Sequence, residues 1–340
     1  MHRHQFAEFT GSSRIQPASS IHVLLPLLTL LMVGGCSIKG MAVNSLANAL
    51  SGGAGGSNVY LTDDDPILVG EALPFSLKLM ETILQETPEH EGLLVAAAAG
   101  FVSYAEMWVL RPARYMEATD LHRFRQGRER AKRLFLRARD YAGRALEIPH
   151  PGIVPRLLRS PDAVVLELNR EDIPAMYWFA AAHGRAIWTD LSDAFLVVEA
   201  RAVTALLDRA LELDEDWERG ALHELYMGIP AQLGGSPEKT EQHFARAMEL
   251  NGGTSIGPLV SLAESVHQPR QDREAFVQIL NEALAFDPND YTETRLTNIL
   301  AQEHARWLLS RTDELFWMGP EERASEPASK RKGISWLPVF

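Results

Sequence analysis

His223-Glu224 opens a pattern that can hold zinc. The metal needs a second histidine one helical turn later, so that both imidazoles project from one face. Position 227 is Met227, so the standard motif fails, and no G-x-S-x-G elbow that would expose a nucleophilic serine occurs anywhere. Catalysis has no positive support, and we expect a protein that is not an enzyme. The residues that could do other chemistry are large and clustered. Tyr177, Trp178, His183, Arg185 and Trp188 lie within Ala175–Asp190, and His223 and Tyr226 follow on a later helix. Rings offer contact area and a guanidinium can grip a carboxylate through two hydrogen bonds, so together they could line a cavity for a ligand with an apolar body and an anionic head. The competing reading makes Trp178 and Trp188 core residues and pairs Arg185 with an acid such as Asp190.

Cys36 is the one cysteine in the chain. It follows an apolar run, Ile21–Val33, and two glycines, an arrangement that resembles the bacterial lipobox, in which the thiol takes a diacylglyceryl group before the leader is cut away. The run is too short to span a bilayer as a finished helix. The organisation this implies is a signal peptide over 1–35, a lipidated Cys36 and glycine-serine tether over 36–60, a folded domain over 61–316 and a flexible tail over 317–340. Ser37 after the cysteine favours the outer membrane as the site of the anchor, facing the periplasm. A lone cysteine leaves no disulfide. No cofactor is expected apart from the lipid, and no metal.

The chain has 340 residues and a formal net charge of −12, and an acidic surface disfavours nucleic acid, whose phosphates need clustered basic groups. Against that background, residues 111–144 hold eleven Lys or Arg and four acids. One reading is a docking face for an acidic partner or an anion path. The favoured one is two solvated flanks beside an apolar stripe, with 125, 128, 132 and 139 on one side and 130, 133, 137 and 144 on the other.

The elements that must position these groups are helices throughout. Asp64 or Asp65 with Pro66 behind it is a start signal, and apolar residues then recur at three and four: Leu77, Met80 and Leu84, then Phe101, Tyr104 and Trp108. Pro88, Pro112, Pro149, Pro151, Pro161, Pro174, Gly234-Gly235, Gly252-Gly253, Pro269 and Pro288 punctuate the pattern as breakers. No alternating strand pattern appears, so the class is all-α. "RALELD" at Arg209–Asp214 returns as "RAMELN" at Arg246–Asn251 and as "EALAFDPND" at 282–290. The shared alanines Ala210, Ala247 and Ala283 stand at nearly equal steps. A small residue at such a period predicts antiparallel helix pairs stacked as degenerate tetratricopeptide-like repeats, an architecture that presents a binding surface.

The stretches "ALHELYMGIPAQLGGSPEKTEQHFARAMELNGG", "PRQDREAFVQILNEALAFDPND" and "ETRLTNILAQEHARWLLSRTDELF", with "DDDPILVGEALPFSLKLMETIL" and "PAMYWFAAAHGRAIWTDLS" upstream, resemble the T-component family of TRAP transporters over roughly residues 60–316. The resemblance implies a periplasmic lipoprotein that forms a homotrimer and partners a periplasmic solute-binding protein. It also implies help in delivering small organic ligands, hydrophobic ones among them, to an ion-driven transporter. The rival reading is a repeat lipoprotein that scaffolds envelope assembly and holds no small ligand.

Overall fold

The computed structural model describes residues 43–50, 59–229 and 235–317. Cys36, the leader and the tail from 318 onward lie outside the described residues, as does the glycine-serine run at 51–58. The chain divides into Met1–Leu46 and Ala47–Phe340. Of the first unit only 43–46 are described, and they are helical. In the second, residues 47–50 are helical too, within the stretch expected to be a tether; Ala47 is buried and Asn48 Oδ1 lies 3.0 Å from His90 Nε2.

Every regular element among the described residues is a helix, so the fold is all-α. The longer ones are α1 (Pro66–Glu86), α2 (Glu91–Tyr104), α3 (Leu121–Glu147), α4 (Ile153–Arg159), α5 (Ile173–Thr189), α6 (Ala200–Leu213), α7 (Ala221–Met227), α8 (Pro237–Asn251), α9 (Gly257–Leu262), α10 (Arg273–Ala285) and α11 (Arg295–Ser310). Side chains start them: Asp65 accepts from the Ile67 and Leu68 amides with Pro66 at the first helical position, Asp120 accepts from Arg123, Ser236 from Lys239 and Asp272 from Ala275. Each carboxylate or hydroxyl satisfies amides that have no partner inside the helix.

Pro112 does not break the chain as its type predicts. The ring lacks an N–H and would crowd the carbonyl four residues back. The helix relaxes ahead of it into a π turn, Ala105–Leu110, and runs on through Arg111–Tyr115. A second π turn, Ala263–His267, continues α9. The Glu91–Tyr115 stretch is long and apolar enough to cross a membrane, but half of its most apolar window is buried inside the fold, so we read it as a core helix.

α5 is the centre. Its alanines and Gly184 let neighbours approach closely, and it packs against α3, α6 and α2. Phe135 of α3 and Phe179 of α5 are fully buried, each contributing about 2 to 3 kcal/mol through apolar area removed from water. A separate cluster joins Leu259 and Val260 of α9, Phe276 and Leu280 of α10, and Ala305 and Leu308 of α11. This C-terminal part is also tied to the start of the fold: the Leu296 amide donates to the Leu61 carbonyl (3.0 Å) and Arg111 Nη1 to the Leu300 carbonyl (3.0 Å).

The repeated alanines are all buried: Ala210, Ala247 and Ala283 have no exposed area, and consecutive helices α5 and α6, α7 and α8, and α10 and α11 are in contact. Gly220 shows what a small residue allows. It sits at φ +94°, where only glycine is unstrained, and a Cβ there would lie 3.2 Å from Leu250 Cβ and 3.3 Å from Ala247 Cα. Gly252, at φ +61°, has open space around it. Gly252→Ala should therefore cost about 1 kcal/mol from backbone strain alone, and Gly220→Ala about 2 to 3 kcal/mol because contact adds to strain. Urea unfolding of both variants checks the order, which reverses or vanishes if α7 and α8 do not meet this closely.

Candidate functional site

α5 has two unlike sides. Pro174, Tyr177, Trp178, Arg185 and Trp188 are its partly exposed residues and all the others are buried. With 3.6 residues per turn these five share a sector of about 100°. The Tyr177 ring meets Trp178 edge-on at 4.9 Å and Trp217 at 4.9 Å. Trp188 fills the space left by two glycines: a Cβ on Gly184 would stand 3.2 Å from its ring and one on Gly228 3.5 Å. The Arg185 guanidinium lies over the Trp188 ring at 5.6 Å. Its ion-pair partner is Glu106 on the first π turn; Asp190, the acid closest in sequence, is taken by Lys132 instead. Lys132 Nζ lies 2.7 Å from Asp190 and 2.8 Å from Asp193, and the hydrogen bonds from Lys132 and Ser192 pull the Asp190 carboxyl down to about 2.

His183 stands on the opposite, buried side. Its Nε2 lies 3.3 Å from Glu199, and neither ring nitrogen makes a hydrogen bond among the described residues. Burial drives its pKa down to about 3, so the ring is neutral. His223 and Tyr226 form a third group. His223 Nδ1 lies 2.8 Å from His243 Nδ1, the Tyr226 ring stacks on His243 at 4.3 Å, and its hydroxyl donates to Asp208. The seven expected residues therefore fall into an accessible sector, a buried histidine behind it and a histidine pair between α7 and α8. Among the described residues no cluster of three His, Cys, Asp or Glu side chains could hold a metal ion.

Two features escaped the sequence reading. Glu224, seen there only as half of a failed zinc motif, is partly buried near Tyr177, and desolvation outweighs the hydrogen bonds from Ser255 and Asn251 to raise its pKa to about 7. The second is a chain of partly buried charges. Glu106 feels Arg185, Arg111 and Arg114, which hold its carboxyl below the usual range against the opposing cost of burial. Arg114 Nη2 donates to Glu264 Oε1 at 3.0 Å, and Glu264 Oε2 lies 3.0 Å from His304 Nε2. The Tyr115 hydroxyl stands 3.2 Å from His304 Nδ1, and Tyr115 and His304 both pack on Trp307. Glu106 and Glu264 each occupy the second residue of a π turn. Such turns shift the helical face by one residue and recur at functional sites. The available signal was a set of charges, Glu106, Arg111 and Arg114, inside an otherwise apolar helix.

The basic stretch at 111–144 forms two largely solvated flanks, with Arg125, Arg128, Arg130, Arg133, Arg137 and Arg144 exposed beside the buried stripe of Ala131, Phe135, Ala138 and Ala142, and several of these side chains also make ties. Arg137 pairs with Glu81, Arg139 with Asp140, Arg133 with Glu129, and Arg144 donates to the Pro88 carbonyl. Lys132 is only 13% exposed. An open groove of about 400 Å³ lies along this part of α3, with His122, Arg125, Arg128 and Lys132 on its walls. None of the seven expected residues lines it.

Two comparisons extend the geometry. Residues 62–316 match the model of the TRAP transporter T-component family. The chain is also 27% identical over 305 residues to an uncharacterized protein of Treponema pallidum (strain Nichols), which spans 84% of this chain and 94% of that relative.

The neutral His183 makes a pH prediction. Its folded pKa, about 3, lies below the ordinary value near 6.5, so as pH falls through that window the unfolded chain takes up a proton that the fold refuses. Stability is lost on acidification, by about 3 kcal/mol at pH 4 from this group alone. His183→Leu should shrink the loss between pH 7 and pH 4 by that amount in urea unfolding. An unchanged loss would contradict a ring held neutral by burial.

Proposed function

The chain belongs to the TRAP transporter T-component family, and on that footing we propose that it docks the periplasmic solute-binding protein of a TRAP system and holds or passes a small organic ligand along the accessible sector of α5. Membership makes it an accessory component of such a transport system, with an envelope location, and the family is not a known enzyme family. In this reading Cys36 carries the lipid that anchors the protein, facing the periplasm from the outer membrane. The folded domain is a degenerate tetratricopeptide-like array, and the working form is a homotrimer.

The observation that carries the reading is the sidedness of α5. A helix that seals twelve residues into the core keeps Tyr177, Trp178, Arg185 and Trp188 partly open to water. Rings of this kind give a small apolar ligand its contact area, and Arg185 supplies a polar contact that can orient it. Docking has a surface to use: the connection between α5 and α6 exposes Leu191, Phe195 and Val198, the last two at 87% and 77%, and grouped exposed apolar side chains mark protein contacts.

A version lacking Cys36 and everything before it, mixed with any solute-binding protein encoded beside it, should sediment as a complex of fixed stoichiometry built on a trimer. Phe195→Ser with Val198→Ser should weaken that complex about tenfold or more while leaving the unfolding midpoint within a degree or two, as surface changes do. A monomer that ignores the solute-binding protein contradicts the docking role and leaves a scaffold without a small ligand in front.

A further inference from the structure

Arginines cover several of the ring faces in this fold that water reaches. Arg130 lies over Tyr104, Arg185 over Trp188 and Arg311 over Trp307, at 5.2 to 5.6 Å. Tyr177, Trp178 and Trp217 are partly exposed as well, yet among the described residues no cation stands over any of them. Their planes do not lie parallel: Tyr177 meets Trp178 at 85° and Trp217 at 49°, with both centroids 4.9 Å away, so the three rings form a corner rather than a stack. The charges that reach Tyr177 are two carboxylates, Glu224 and Glu218. Neither has an ion-pair partner among the described residues: Ser255 and Asn251, both uncharged, hydrogen-bond to Glu224, and Glu218 is exposed. The turn that brings Trp217 to this place is strained. Glu218 and Arg219 both take left-handed backbone angles, φ 46° and 53°, just ahead of Gly220, a conformation that side chains disfavour and that collects at functional sites.

We propose that the corner of Tyr177, Trp178 and Trp217, with Glu224 as counter-charge, receives a small alkylated ammonium group. The inference rests on the reading of the α5 sector as a ligand path and names the class of ligand taken at its Tyr177 end. The face of an aromatic ring is negative and attracts a cation, indole most strongly, and rings set at angles let one ammonium touch more than one face. Three rings without an arginine of their own, beside carboxylates without a cation of their own, are short of one positive charge that the chain does not supply. Arg185 does not oppose it. That side chain stands about 12 Å further along the helix axis, and Glu106 answers its charge.

The test is calorimetric titration of the full chain in lipid nanodiscs, referenced to empty discs, at pH 8, above the point near 7 at which Glu224 ionises. The probes are choline and dimethylbutanol, in which carbon replaces the nitrogen, so that the pair shares a shape and differs in one charge. Choline should bind at least about fivefold more tightly, the range of a cation held on aromatic faces. Trp217→Leu and Glu224→Gln should each remove most of that preference while dimethylbutanol affinity stays. If Glu224→Gln does not fold, Trp217→Leu, in the turn ahead of α7, still decides. Equal affinity for the two probes overturns the cation site, and so does a choline preference that survives both substitutions. Octanol reads the ligand path by itself: octanol bound without choline overturns the cation site alone, and binding of none of the three probes overturns both.

Discussion

Carboxylates and guanidiniums partly withdrawn from water are held best facing one another, and much of this fold is arranged around one place where they do. Glu106 and Arg114 come from the helix that follows α2, Arg185 from α5, Glu264 from the turn after α9, and His304 from α11. Removing one member of a fully buried pair costs about 3 to 5 kcal/mol, and less here, where Arg114 and Glu264 keep 37% and 25% of their side chains exposed. Such a cluster adds less to net stability than its contacts suggest, since desolvation consumes much of the attraction. It specifies an arrangement. Only when α2, α5, α9 and α11 are all in register do the charges meet.

The two π turns are the means. One extra residue in a turn rotates everything beyond it by about 100° relative to a regular helix. Pro112 makes the first turn favourable by removing a hydrogen bond the α geometry would need. The same constraint explains the sidedness of α5, whose small residues seat it against α3 and α6 while its sector carrying Arg185 faces the cluster and water. Binding surface and charge cluster are thus two sides of one positioning problem.

Much of the local architecture was legible in the residues. Asp65 with Pro66 set the start of α1, the spacing of Leu77, Met80 and Leu84 gave its buried face, and Ala210, Ala247 and Ala283 all proved fully buried. The candidate site was less legible, because its decisive contacts join distant parts of the chain. Arg114 and Glu264 are 150 residues apart. Asp190 looked like the partner of Arg185 because it is close in sequence, yet Lys132 claims it from α3. Pro112 read as a breaker, since propensity counts the lost hydrogen bond and not the wider turn that absorbs the loss. Glu224 was invisible because a raised pKa comes from surroundings that only packing creates.

The central claim, that paired, partly buried charges hold these helices in register, is tested most directly by a double-mutant cycle on Arg114 and Glu264. Urea unfolding at pH 7 would be measured for the parent, Arg114→Met, Glu264→Gln and the double variant. The account predicts a coupling energy above about 1 kcal/mol, as for a close, partly buried charge pair. A coupling below about 0.5 kcal/mol, the value typical of an exposed pair, would contradict it.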